Sequence, residues 1–267
     1  MEGGDHGLRG TGKPLTQAVL DEAAAIVDIP NSGMWAVIHV ESSGGGYQPD
    51  RRPKILFERH KFSHATGGRF DDDHPDISDP MPGGYGEGGA HQYDRLAEAL
   101  ALDRKAALAS ASWGLGQVLG SNFEVAGFAD VEDMVAKMVQ SERHQLLGMF
   151  NFIDGNDLGR HLKNQNWRRF ALGYNGPTAE AHGYPHKLKS AFDTFEGGRP
   201  PDIRVRIAQL ALSFLGHGPG GVDGIFGNNT RGALRRFQAA QGMPLTTTLT
   251  DPDLDALIAK AFGGSLT

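Results

Sequence analysis

Glu41 stands at the end of the apolar stretch Trp35-Ala36-Val37-Ile38-His39-Val40 and just before Ser42-Ser43-Gly44-Gly45-Gly46. A carboxyl group held against apolar neighbours resists ionisation, so its pKa rises and it can stay protonated near neutral pH. A protonated acid at the rim of a cleft can donate to a leaving oxygen, which is what cleavage of a glycosidic bond requires. The competing reading is an exposed helix-end carboxylate with no chemical task, since perturbed carboxylates also occur structurally. Gln117 and Asn175 carry amides that suit N-acetyl and hydroxyl groups, and Tyr174 can pack on a sugar face while its hydroxyl bonds. Glycosidases commonly use two carboxylates. Glu58, directly after Ile55-Leu56-Phe57, is the first candidate for the second, with pairing to Arg59 as the structural alternative. Asp71, Asp72, Asp73 and Asp76 are rivals in a Gly/Pro-rich loop.

The elements that must position these groups can be read from periodicity. A helix is expected from Pro14 to about Asp28, after a frayed glycine-rich start over residues 1–13. The Glu41 segment reads as a second, buried helix, with Pro30 in its first turn, Asn31 or Ser32 as cap, and the glycine run as its stop. Ile55-Leu56-Phe57 reads as a buried strand. Residues 63–90 read as long loop with at most a small hairpin, which is unusual unless it lines a binding site. Single helices are expected at His91 to about Ser112, at about 131–152, 157–173 and 178–195. Gly197-Gly198-Arg199-Pro200-Pro201 is linker-like. Beyond it, helices are expected at about 202–215, 228–241 and 251–262. The first domain is therefore mostly helical, with a small β element near residues 54–85.

Composition bounds the partners. The formal charge is −6, with +1 on residues 201–267 and −7 on the rest, so no polyanion-binding surface is indicated and nucleic acid is excluded as a partner. There is no cysteine, hence no disulfide and no thiolate metal site. Neither a signal-peptide h-region nor a run of about 18 apolar residues is present, so no stable membrane association is expected. If the protein acts outside the cytoplasm, something else must let it out.

Glu41-Ser42-Ser43-Gly44-Gly45, Ser112-Trp113-Gly114-Leu115-Gly116-Gln117-Val118 and Tyr174-Asn175-Gly176 follow in that order. Together they resemble the lysozyme-like superfamily, and in the fuller context of Ile55-Leu56-Phe57-Glu58-Arg59-His60 they look closer still to the N-acetylmuramidase domain of modular bacteriophage endolysins. The resemblance implies a lysozyme-like α-helical domain over residues 1–196, with Glu41 as general acid. Val222-Asp223-Gly224-Ile225-Phe226-Gly227-Asn228-Asn229-Thr230, continuing to Phe237-Gln238, resembles the peptidoglycan-binding domain of wall hydrolases. It implies a three-helix module over residues 202–267, with Asn228 to Thr230 capping a helix and Ala233, Leu234 and Phe237 on its buried face. Within that signature, Asp223 and Phe226 are the first candidates to touch ligand, although Phe226 also suits the core. The end of the module, Thr246 to Leu257, departs from the signature.

The resemblance implies a mainly α protein that needs no cofactor or metal and hydrolyses the β-1,4 bond between N-acetylmuramic acid and N-acetylglucosamine. A monomer is expected, made in a host cytoplasm and released to the wall through a holin-type lesion, with a secreted wall effector as the variant. The binding module is expected to act as a tether, so a chain cut at residue 197 should still cleave soluble fragments. Alternatives stay open: a transglycosylase that forms anhydro-muramic ends, a non-catalytic wall-binding or tail protein, and a zinc peptidase built on His64 and Asp71. The last lacks the downstream ligands that zinc needs.

Overall fold

The computed structural model describes residues 6–42, 44–198 and 200–266. Its central element is α2 (Asn31–Ser42), in which every residue from Ser32 to Ile38 is buried. A helix apolar on all sides has to be wrapped by others. Here α1 (Gln17–Val27) precedes it and α10 (Tyr184–Glu196) packs along it through Leu188, Ala191, Phe192 and Phe195. Pro30 does not sit in the first turn; it caps the helix, its carbonyl accepting from the Gly33 and Met34 amides at 2.9 and 3.2 Å. Ser32 is not a cap either, because its hydroxyl is donated to Glu196 at 2.6 Å and ties α2 to the end of α10.

The sheet is β1 (Ile55–Phe57), β2 (Ala111–Trp113) and β3 (Val118–Leu119), antiparallel in that order. Ile55 pairs with Trp113, Phe57 with Ala111, and Trp113 in turn with Val118. The partners of β1 thus lie far beyond the 54–85 region in which the β element was expected. They come from the end of the helix expected over His91 to about Ser112 and the glycine-containing motif that follows it. Residues 63–66, expected to open the loop, instead belong to α3 (Arg59–Thr66). The loop that follows is held by two side chains of α4 (Ala90–Leu102). Gln92 donates to the carbonyls of Tyr85 and Glu87 at 2.6 and 2.8 Å, and Arg95 donates to those of Asp76 and Tyr85 at 2.6 and 2.9 Å.

Of the single helices expected from periodicity, three are broken and a fourth starts late. Asp103 adopts extended backbone, ends α4 and caps α5 (Arg104–Ala109) by accepting from the Ala106 amide at 3.0 Å. The 131–152 span divides into α6 (Val131–Met138) and α7 (Glu142–Gly155). Into that break docks the chain start, where Lys13 N–H donates to Gln140 O and Glu142 N–H to Lys13 O, each at 2.9 Å. With Leu8 only 3% exposed, Gly12 buried and Lys13 paired to both sides of the break, residues 8–13 are docked and not frayed, while residues 1–5 lie outside the described part. The 157–173 span divides into α8 (Gly159–Lys163) and α9 (Trp167–Asn175), with Asn166 capping α9. The helix expected from residue 178 begins at Tyr184.

The last quarter of the chain is α11 (Ile203–Phe214), α12 (Asn228–Gln241) and α13 (Asp251–Phe262). Ala208, Leu212, Ala233, Leu234, Phe237 and Leu257 fill a core of their own. Gly227 occupies the cap position of α12, so Asn228 to Thr230 do not cap it, and Thr230 instead accepts from Gln209 inside the fold at 3.0 Å. No described helix is long and apolar enough to cross a membrane.

Candidate active site

Glu41 lies in the final turn of α2, where the wrapped helix runs out into the glycines. Its carboxyl has a polar partner in Asn175, whose Nδ2 stands 3.3 Å from Oε1 and 3.5 Å from Oε2. Burial pushes the Glu41 pKa up to about 8, against a smaller opposing pull from the Asn175 hydrogen bond. The acid is therefore protonated at neutral pH. Its charge, when present, is felt by Tyr174 and Tyr184, whose own ionisation is pushed upward chiefly by burial.

Asn175 ends α9, and its Oδ1 is buried without a hydrogen-bond partner. A buried unpaired carbonyl is costly, and rotating the same amide by half a turn would present it to the proton of a neutral Glu41. Tyr174 braces this corner. Its hydroxyl is donated to Gly116 O at 2.6 Å, and its ring stacks on Phe170 with centroids 5.4 Å apart and meets the edge of Phe152 at 5.5 Å. The hydroxyl expected to meet substrate is thus committed to backbone. Gln117, in the left-handed region at φ 48°, donates to Lys54 O and Gly114 O at 3.2 and 2.8 Å, fixing the turn between β2 and β3. Trp113 is fully buried, a core aromatic.

Glu41 opens into a cleft of about 500 Å³, within the range of small-ligand sites. From the first two-thirds of the chain the lining includes Ser42, Gln48, Lys54, Ile55 and Gln117. Glu58 is not brought into this lining. It precedes α3, with Oε2 3.7 Å from His60 Nε2, and its charge acts on His60 and Tyr85, neighbours different from those of Glu41. Ile55, in the lining, lies three residues earlier on β1, which puts about 10 Å of extended chain between the two positions. Among the described lining residues, Glu41 is the one carboxylate. Asp71 accepts from the hydroxyls of Ser63 and Ser78 at 2.9 and 2.6 Å, and no described group of three or more His, Asp or Glu is arranged to hold a metal.

Several residues that build the site carry no signal in the sequence. Lys54 donates to Ser42 O at 2.6 Å and so anchors the turn after Glu41, and burial lowers its pKa. Glu142, at the start of α7, is wholly buried and accepts from Gly46 N–H and Leu15 N–H at 3.0 and 2.9 Å. Gln145, one turn on, accepts from Leu115 N–H at 2.9 Å. These two side chains pin the loop after Glu41 and the turn before Gln117 to one helix end. In the C-terminal three-helix unit, Asp223 Oδ1 accepts from Gln209 and from Ile225 N–H at 2.8 and 2.9 Å, so that oxygen shapes the turn. Phe226 packs half-buried against the core. Beside it Ile225 is exposed.

A buried helix delivering one neutral acid to a cleft, next to a small antiparallel sheet and a tyrosine–asparagine corner, defines a lysozyme-like glycan hydrolase. Residues 31–196 match the family model described as N-acetylmuramidase, and residues 202–254 match that of a putative peptidoglycan binding domain. The chain belongs to the N-acetylmuramidase family and is a peptidoglycan hydrolase of muramidase type. The crystal structure of a Burkholderia AP3 phage endolysin is similar to it, with a TM-score of 0.63 and 34% identity over 69% of this chain and 71% of that one. No curated protein matches the chain.

Proposed function

We propose that Glu41 is the general acid that protonates the oxygen of the β-1,4 bond between N-acetylmuramic acid and N-acetylglucosamine. The observation that carries this is a half-buried carboxyl at the edge of the cleft with Asn175 as its polar partner, its pKa raised to about 8 by desolvation. Asn175 holds it in place, and Gln117 and Lys54 shape the floor on which the sugars lie. As the leaving oxygen takes the Glu41 proton, positive charge develops at the anomeric carbon. With a single carboxylate in the described lining, the N-acetyl oxygen of the substrate bonds to the anomeric carbon as the glycosidic C–O bond breaks, and water then opens that ring while returning a proton to the ionised Glu41. Glu58 has no part in this step.

The same single-carboxylate lining favours a second reading, in which the 6-hydroxyl of muramic acid closes an anhydro ring. Mass spectrometry of borohydride-reduced products from purified peptidoglycan separates the two. Reducible muramic ends, absent with Glu41→Gln, support hydrolysis; anhydro ends support the transglycosylase route; new amino groups without sugar ends would overturn both.

The likeness to a phage endolysin supports a role in lysis, with a monomer accumulating in the host cytoplasm and reaching the wall through a membrane lesion. Fractionation of infected cells before and after membrane permeabilisation tests this, and a protein already in the wall beforehand would contradict it.

A further inference from the structure

The cleft that holds Glu41 is not closed by the muramidase domain alone. Ser213, at the end of α11, and the turn Gly220-Gly221-Val222 complete its lining. The two domains meet at the loop that follows Glu41. A Cβ on Gly44 would lie 2.4 Å from Val222 O, and one on Gly45 would lie 2.8 Å from Val222 Cβ. Tyr47, Leu210 and Val222 form an apolar cluster across the junction. At its centre Arg206 of α11 forms a two-pronged pair with Glu142 at 2.5 and 2.7 Å, both side chains fully buried, and its Nε donates to Gly44 O at 2.8 Å. Arg51 adds a hydrogen bond to Ala261 O at 2.7 Å and lies over the Phe214 ring, 4.4 Å from its centroid. The linker-like glycines and prolines therefore join two bodies that are packed together.

We propose that the C-terminal domain is a wall of the catalytic cleft, so that one glycan strand touches Glu41, Gln117, Ser213 and the exposed Gly220–Gly221 backbone together, while Arg206 is a positioning residue for the loop behind Glu41. This rests on the muramidase reading of the cleft. Two exposed glycines suit the role, because bare backbone N–H and C=O groups can approach sugar hydroxyls and N-acetyl groups closely. The domain that matches a wall-binding family thus orients the strand at the point of cleavage as well as holding the protein to the wall.

The test is an NMR titration of the full-length Glu41→Gln chain with a reduced tetrasaccharide of alternating N-acetylglucosamine and N-acetylmuramic acid. The amides of Gly220, Gly221 and Val222 should shift together with those of Ser42 and Gln117, on one common dissociation constant. Shifts at Ser42 and Gln117 with none at Gly220–Val222, or with a different constant there, would overturn the proposal and leave the muramidase reading intact. Silence of the whole cleft would remove the muramidase reading of the cleft and the proposal with it. In kinetics, Gly221→Trp at unchanged melting temperature should lower kcat/KM on glycan strands by about tenfold or more, mainly through KM; wild-type kinetics in that folded variant would overturn the proposal.

Discussion

The Asn175 amide nitrogen spans both oxygens of Glu41, 3.3 Å from one and 3.5 Å from the other, while its own carbonyl oxygen is buried without a partner. An amide can serve either protonation state of an acid, donating to the carboxylate or accepting from the neutral form. The pair therefore suits a group that must give up a proton and recover it once per turnover.

Glu41→Gln should lower kcat by at least about 100-fold, the usual scale for losing a general acid. The same variant should be more stable than wild type in alkali. A carboxyl whose folded pKa is raised from 4.5 to about 8 imposes no penalty below the lower value. It then destabilises progressively as pH climbs between the two, because the unfolded chain ionises first. Melting temperatures of the two proteins should converge at pH 4 and diverge in favour of the variant at pH 9. Identical curves at both pH values would show that Glu41 is not held neutral.

The pH profile of kcat/KM should stay high through neutrality and fall through an alkaline limb near pH 8, where free-enzyme Glu41 loses its proton. A limb near pH 5 would mean an ordinary, solvated carboxylate.

Asn175→Ala removes the interaction that favours the ionised form of Glu41. The alkaline limb should move to higher pH, and kcat should drop as the acid loses its orientation. A purely structural asparagine would change stability and leave the limb where it was.

Glu58→Gln should retain activity within about threefold of wild type, since its carboxylate is neither in the cleft lining nor acting on the neighbours of Glu41. A 100-fold loss in a folded Glu58→Gln protein would restore it as the water-activating base.

Arg206→Ala leaves Glu142 buried without its main partner, and breaking such a buried pair typically costs about 3–5 kcal/mol. Calorimetry should show the muramidase transition falling by several degrees although the substitution lies in the other domain. A chain ending at residue 197 should be similarly destabilised and poor at cutting soluble fragments. If it cuts them as fast as the full chain, the packed junction is dispensable for catalysis.

Much of this was legible in the sequence, and the part that was not has physical causes. The apolar run before Glu41 showed a buried helix with an acid at its end, because burial on every side leaves a pattern that one element carries by itself. Asn175 could be named from its motif, although its contact with Glu41 spans 134 positions. The partners of β1 could not be read, since Ala111–Trp113 and Val118–Leu119 are too short to show alternation and sit among glycines. The helix breaks at Asp103 and Val139–Ser141 escaped periodicity because caps and the docked chain start, not a change of period, interrupt the spirals. Arg206 was hidden most completely. An arginine between Val205 and Ile207 reads as one solvated position on a helix, and its burial depends on Glu142, 64 residues away, together with the Gly44 carbonyl.

Gly44 and Gly45 leave no room for a side chain against Val222, so the two halves of the chain have to be inherited as a matched set. A chimera that grafts a foreign targeting module after residue 200 would expose the Tyr47 patch and strand Glu142, however well the graft recognised its wall. Retargeting this enzyme therefore calls for redesigning the outer surface of its own three-helix unit, with Arg206, Leu210 and Val222 retained as the fitting that receives the catalytic half.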